Sequence, residues 1–536
     1  MGYSGSTYKI SCAEIGYNGS ANFDAIPPNS MISPSKNVEI HEGGVGKRGG
    51  SAHVNSAAVT GTPDINGLYD FRLISGTQVI IGGTGGGKIY SDITGASPTE
   101  LKSGIASDSF YDFITYNDDV YITAYKSSTA SIPQKWNGAA AATSDIGSGT
   151  SLPSDWSSNC FPKQLVVHGY GNSERVWAFA CPGKQNFIYI TPNNDGASDA
   201  DFSQATILTI YIETGDGFGL VGGVEFKDRL IAFGKRKAYI IDDSDPDTDR
   251  WGYAEAAWEG GAAHHKLIVK TPNDLICMME DGEIYSVTAA QQYGDYKLGS
   301  IVRPHYMHTW IKNNLDITKI NQFHGRYDRK LRAVRFWVVR QNQTVCDTQI
   351  VYYLDKGKWS IEDNENYPSG CKTACSAEVR SAIGSYDIYT GDYDGFIWNL
   401  NQTTKADNNN GSWSGFKLPH LSFESEDNVG LSRVDKYFRS GRLIGVPKGN
   451  YDLNVTAIVD GGDSTTTTVN LAGSGGTLGS FILGTDVVGG GDFIDKDFQI
   501  GLSGKRLSLQ FDNAISGQDF FISACSVDFK PLSAIG

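Results

Sequence analysis

The sequence predicts an all-β chain: a β-propeller of six or seven blades with an additional antiparallel β-sandwich domain. Three observations carry this reading: a structural phrase recurring about every fifty residues, abundant glycine with few charges, and a change of texture beyond residue 400. The phrase is a strand, a tight polar turn and an apolar edge ending in an aromatic. It reads TQVIIGGTGGGKIYS, SIPQKWNG, QNFIYIT, DRLIAFGKRKAYII, NDLICMMEDGEIYSV, TQIVYYLDKGKWS and YTGDYDGFIWNL in turn. With the aromatic as phase mark, Tyr90, Trp136, Tyr189, Tyr239, Tyr285, Tyr352 and Trp398 stand 46, 53, 50, 46, 67 and 46 residues apart. A period near fifty, with several short strands in each, is what a propeller blade requires. Seven marks give seven blades, or six with one irregular inserted hairpin.

At 536 residues the chain has ample length to bury a core. Its 64 glycines supply the positive-φ positions of many tight turns. Charged residues make up only 20% and aromatics 11%, a profile opposed to disorder. A formal charge of −15 argues against a general nucleic-acid coating protein, which would be basic. No apolar run of about 18 residues occurs, so membrane insertion is not expected. The first residues, MGYSGSTYKISC, lack the charged-then-apolar pattern of a secretory leader. Eight scattered cysteines read as buried thiols of a protein made in reducing cytoplasm.

In chain order, residues 1–60 are polar and turn-rich and read as an N-terminal arm or linking segment, with a short strand at 37–41. Residues 61–400 carry the repeats and form the propeller. In each, an alternating strand such as LYDFRL precedes an apolar strand such as QVIIG, and the aromatic strand follows. Alternation presents opposite faces to the two flanking blades. Helical periodicity is scarce, and the gap of 67 is expected to hold a longer loop around 341–347. Residues 401–414 read as a polar linker. Residues 415–536 return to alternating strands out of phase with the blades: VDKYFRSGRLIGV, NYDLNVTAIVDGG, STTTTVNLAG, LGSFILGT, KRLSLQFDN and DFFISACSVDFKPL. They read as the sandwich, with TTTTVN facing solvent because threonine is β-branched yet polar.

Several motifs invite chemistry. GGTGGGK has the spacing of a phosphate loop, but Ile89 stands where a magnesium-binding hydroxyl is needed, so it reads as a hairpin turn. DDSDPDTDR sets Asp243, Asp245, Asp247 and Asp249 at alternate positions, as in a calcium loop. Thr248 and Ala254 replace the Gly and Glu such a loop needs, so a solvated loop is expected and calcium is left open. Arg326, Arg329, Lys330, Arg332, Arg335 and Arg340 form a basic block opposed only by Asp328. It is marked as an interface or DNA contact, with a partner interface preferred. The pairs His264/His265 and His305/His308 lack a catalytic Glu between them and read as structural. No GxSxG elbow occurs, and TGDYDGFIW is an out-of-register echo of the S-x-D-x-G-x-T-W turn of propeller sialidases. No catalytic residue, cofactor or metal is assigned, and no enzyme is expected.

Two blocks are familiar together. One joins NVEIHEGGVGKRGG to INGLYDFRLISGTQVIIGGTGGGKIYSDITG; the other pairs DGFGLVGGVEFKDRLIAFGKRKAYIID with the terminal SLQFDN and FISACSVDFKPL. They resemble tail nozzle proteins of short-tailed bacteriophages, also called packaged-DNA stabilisation proteins. The resemblance implies a virion tail component, made in the host cytoplasm, that assembles as a hexamer. It implies contacts with adaptor and portal-side proteins above and with tail fibre or plug proteins below, and transient passage of DNA during ejection. An acidic ring would let DNA pass without sticking. The alternative is a receptor- or carbohydrate-binding adhesin propeller, with Trp251 and Trp258 stacking on sugars. A third class, a glycosidase, would need paired carboxylates from distant stretches.

Overall fold

The alternating strands assemble into seven four-stranded antiparallel sheets arranged as blades about one axis, and two six-stranded sheets beside them. This computed structural model describes residues 6–532 apart from 13–14, 21–25, 147–151, 157–159, 170–172, 193–199, 201, 289–298, 364–371, 382–383, 409, 424–430 and 473–492. The inner strands of blades 1 to 7 are Ile65–Arg72, Phe110–Tyr116, Gln164–His168, Leu220–Phe226, Ile268–Lys270, His324–Asp328 and Cys375–Arg380. Each meets the next around the axis, and blade 7 meets blade 1.

All seven aromatic phase marks fall on the third strand of their blade. An amphipathic ring there buries its body and ties a loop with its polar tip. Tyr285 Oη donates to the Gly261 carbonyl at 2.9 Å, Tyr189 Oη to Asp155 at 3.0 Å, and Trp136 Nε1 to the Ala140 carbonyl at 2.7 Å. Between blades, glycine admits the neighbour's aromatic. A Cβ on Gly83 would collide with the Tyr111 ring of blade 2.

Blade 7 takes its fourth strand from upstream of blade 1. Gly50–His53 pairs antiparallel with Ile397–Gln402, and His53 stacks on Phe396 at 4.3 Å and meets Trp398 edge-on at 4.0 Å. This fastens the ring without a covalent link.

The residues read as an arm supply strands of the sandwich and one blade strand, while the linker 401–414 runs between the third strand of blade 7 and a sandwich strand that begins at Ser414. Ser6–Ser11 and Gly44–Lys47 both pair with Phe521–Pro531, and Val38–His41 pairs with Gly44–Lys47. In the other sheet Ser30–Lys36 pairs with Ser414–Lys417, which pairs with Leu507–Asn513. The two faces share one core, including Phe438, Phe498 and Phe529 from one sheet and Val455, Leu509 and Phe511 from the other. Ser464–Asn470 is an edge strand whose threonines alternate outward, and the expected strand LGSFILGT lies outside the described residues.

The extra length between Tyr285 and Tyr352 includes the expected loop, since residues 339–347 join Ala333–Val338 to Thr348–Tyr353. A helical insert between blades 5 and 6 adds to it, with the α-helix Met307–Asn314 flanked by short 3-10 turns. Met307 and Ile311 enter the core, Trp310 meets Tyr17 edge-on at 6.2 Å, and the Gly19 amide donates to the His305 carbonyl at 3.0 Å. No helix among the described residues is long and apolar enough to cross a membrane.

Sandwich and propeller are fused through blade 6. Ser360 Oγ on the outer strand Lys358–Asp363 donates to the Val38 carbonyl at 2.7 Å, and Lys36 pairs with Asp363 at 3.0 Å. Arg48 reaches Asp407 through two hydrogen bonds of 3.0 and 2.5 Å, both side chains buried. Beside it Lys47, 2% exposed, donates to Asn513 Oδ1 at 3.2 Å and to the Ile515 carbonyl at 2.9 Å. Burial and the neighbouring Arg48 push its ammonium down to about 8.

Two outcomes test this packing. Gly83→Ala lowers stability by about 1–3 kcal/mol through overpacking, whereas Gly462→Ala, with open space around it, leaves the denaturation midpoint unchanged. Lys47 holds its proton less tightly folded than unfolded, so stability rises as pH climbs from about 8 toward the unfolded value of ~10.4. Wild type therefore gains on the order of 1–2 kcal/mol over Lys47→Met between pH 7.5 and 9.5, read from paired urea titrations.

Candidate functional site

The inner strands leave a cavity of about 190 Å³ on the propeller axis. Its wall takes residues from six blades, Tyr69, Asp112, Gln164, Lys266, Arg326 and Ser376 among them. Blade 4 supplies no lining residue. A Cβ on Gly222 would strike Gln164 and His265, so these side chains close the wall there, and Gln164 exchanges two hydrogen bonds with the Gly223 backbone at 2.8 and 3.1 Å. Adjoining the cavity is a wider mouth of about 450 Å³, lined by Phe110, Tyr125, Tyr393, Asp64, Asp108 and Lys163.

The cavity is electrostatically unusual for the interior of a β-protein. Burial pushes the Asp112 carboxyl up to about 6, although Lys266 and Arg326 pull the other way. Burial, reinforced by Lys266 and Arg326, pushes His324 down to about 3, so its ring is neutral. His265 is likewise held neutral by burial and accepts or donates one bond to Tyr125 Oη at 3.1 Å. Lys266 Nζ lies over the Phe110 and Tyr125 rings, 5.3 and 5.7 Å from their centroids.

The basic block is dispersed rather than gathered into a strip. The hairpin reverses at residues 329–332, so cations adjacent in sequence leave in different directions. Arg326 points into the axial cavity and donates to the Ser376 carbonyl at 2.7 Å. Arg329 pairs with Glu378 at 2.6 Å and lies over Tyr386; Lys330 donates to the Asn401 carbonyl at 2.9 Å; Arg332 pairs with Asp355 at 2.9 Å. Arg335, 1% exposed, bonds Asp328, Gln349, Glu362 and Asn401, all at 2.8–2.9 Å. Arg340 pairs with Asp347 at 2.7 Å and Asp363 at 3.4 Å. These contacts lie within blade 6 or fasten it to blade 7, and no continuous phosphate track results.

The other motifs resolve into structure too. GGTGGGK is the hairpin between Gln78–Thr84 and Lys88–Ser91. The aspartates of 243–249 do not converge. Asp247 caps a 3-10 turn by accepting from the Asp249 amide at 3.2 Å, Asp245 accepts from the Asp247 amide at 2.9 Å, and Asp243 pairs with His168 at 3.2 Å. Among the described residues no group of three His, Cys, Asp or Glu side chains is placed to hold a metal. Asp392 of the TGDYDGFIW turn accepts from the Asp394 and Phe396 amides and from Trp398 Nε1, all at 2.8–2.9 Å. Trp258 is buried, and Trp251 stacks on Trp177 at 5.7 Å with Arg175 on its face, so neither is a sugar platform. His308 faces the buried Glu283 at 3.7 Å. Of the cysteines, Cys12, Cys181, Cys277, Cys346, Cys375 and Cys525 are buried free thiols; Cys371 lies outside the described residues.

No protein-family model matches the chain, and no curated protein matches it. Among solved structures, it is similar to BBS1N in complex with ARL6DN at 11% identity, covering 67% of this chain and 98% of that one, with a TM-score of 0.41. The Pan2 WD40 domain of Neurospora crassa aligns at 9% identity over 69% of this chain and 98% of that one, with a TM-score of 0.38. An exo-beta-1,3-galactanase from Phanerochaete chrysosporium aligns at 11% over 90% of this chain and 100% of that one, with a TM-score of 0.28. At these values the assignment of fold stands on the strand topology itself, and no activity follows from the likeness.

Removing Arg335 isolates the buried network. Arg335→Met strands Asp328 and Glu362 and costs about 3–5 kcal/mol, whereas Arg332→Ala, at an exposed pair, costs under about 1 kcal/mol; chemical denaturation of both variants checks the contrast.

Proposed function

We propose that the chain is a non-enzymatic structural component of a short-tailed phage virion, the tail nozzle, acting as a subunit of a ring that retains packaged DNA and then passes it. The observation that carries this reading is where the resembling stretches sit. NVEIHEGGVGKRGG supplies two sandwich strands, Arg48 and the start of the strand that closes blade 7. SLQFDN and FISACSVDFKPL supply their partners: Val45 pairs with Ile522, and Lys47 bonds Asn513. The resembling stretches thus fall partly on the weld between the two modules, which suits a part that transmits load, and partly on blades 1 and 4.

The single-subunit cavity is smaller than an ordinary ligand pocket of roughly 300–1,000 Å³, so a nucleic-acid conduit runs between copies and not through a propeller. The charge of −15 favours a lumen that DNA does not adhere to. A hexameric ring, adaptor and portal-side proteins above it and fibre or plug proteins below it complete the reading, in the virion tail. One observation favours a second reading, a carbohydrate-binding adhesin: the mouth around the axis carries aromatic rings beside the carboxylates of Asp64 and Asp108.

Negative-stain imaging and native mass of the purified chain decide between them. Sixfold rings support the nozzle. A stable monomer at high concentration that binds a glycan array overturns it in favour of the adhesin.

A further inference from the structure

We propose that the axial cavity is a binding site for a small hydroxylated oxyanion, of the chemistry shared by sugar acids and monohydrogen phosphate. Lys266 and Arg326 enter the cavity from the adjoining blades 5 and 6, and Asp112 is the carboxylate that faces them. Among the described residues none of the three is closed into a contact ion pair. Elsewhere in this molecule buried cations are closed onto acids, as in Arg335 with Asp328 and Glu362. Arg326 is exposed to the cavity, and Lys266 and Asp112 are half-buried, so two solvated cations face Asp112, with Glu378 also acting on Arg326, and present donors to an incoming anion.

The cavity therefore offers ammonium and guanidinium donors to an oxyanion, and the Asp112 carboxylate as the acceptor for an attached OH.

The volume limits the occupant: at about 190 Å³ the cavity is below the usual ligand-pocket range and suits one small anion. Tyr69 and Phe113, stacked at 5.5 Å, form an aromatic wall. The Lys266 ammonium also stands over Phe110 and Tyr125, which line the neighbouring mouth. This inference does not depend on ring assembly.

Isothermal titration with D-glucuronate and with inorganic phosphate near neutral pH tests it, with acetate (no hydroxyl) and D-glucose (no charge) as controls. Saturable binding of either anion is expected, weakened about tenfold or more in Lys266→Met and Arg326→Met. Asp112→Asn removes the opposing charge, so phosphate binds it several-fold more tightly. That opposite direction separates loss of the site from loss of the fold. Absence of binding by both anions, unchanged affinity in all three variants, or equal binding of acetate or glucose overturns the proposal.

Discussion

A buried ion pair between Arg48 and Asp407 fixes both places where the chain crosses between propeller and sandwich. Arg48 lies between the sandwich strand Gly44–Lys47 and the blade strand Gly50–His53; Asp407 lies between the blade strand Ile397–Gln402 and the sandwich strand Ser414–Lys417. One carboxylate serves both crossings, because Asp407 also accepts from the Ser51 amide at 3.0 Å, the Ser51 hydroxyl at 2.8 Å and Ser412 Oγ. Burial alone would push its carboxyl up, but Arg48 and these hydroxyls more than offset that and hold it below the usual range. Such a pair contributes geometry more than net stability, since its Coulomb gain is set against desolvation. Without it, the register of the closing strand and of the sandwich would be free to slip independently.

Around that clamp the two modules behave as one body. The core runs from Phe511 and Val527 in the sandwich through Val38 and Met31 to Ile350 and Trp337 in blade 6. The helical insert extends this core toward blade 5, since Ile311 and Trp359 belong to it and Trp359 Nε1 donates to the Ile301 carbonyl at 2.9 Å. A buried cation of the sandwich is satisfied by backbone carbonyls. Lys436, fully buried, directs its ammonium at the carbonyls of Leu431, Val434 and Lys505 at 2.5, 3.0 and 2.7 Å.

The blades were legible because each phase aromatic does a repeated physical job, and a repeated job leaves a period. Of the sandwich strands near residues 6–47 only Val38–His41 was legible, because a short strand that completes another's sheet carries little alternation of its own. GVGK is buried throughout, and nothing in its composition marks it as a strand. The strand Ile494–Gly504 did carry a signal that the reading passed over, with Ile494, Phe498 and Ile500 buried between exposed acids and amides. The basic block misled for a different reason: sequence proximity across a tight hairpin is not spatial proximity of side-chain ends. The axial cavity was invisible for the converse reason. Tyr69, Asp112, Gln164, Lys266, Arg326 and Ser376 lie on separate blades and meet only when the ring closes.

Closure by an upstream strand also sets an order on biosynthesis. Gly50–His53 has no partner until Ile397–Gln402 has left the ribosome, and Ser6–Ser11 none until Phe521–Pro531 has. Contacts of such long sequence separation form late and slowly. Nascent and truncated chains therefore display open sheet edges, the surfaces by which quality-control machinery recognises incomplete β-proteins. The weld therefore sets only after residues 521–531 have been made, and it reports on the synthesis of everything between its two halves.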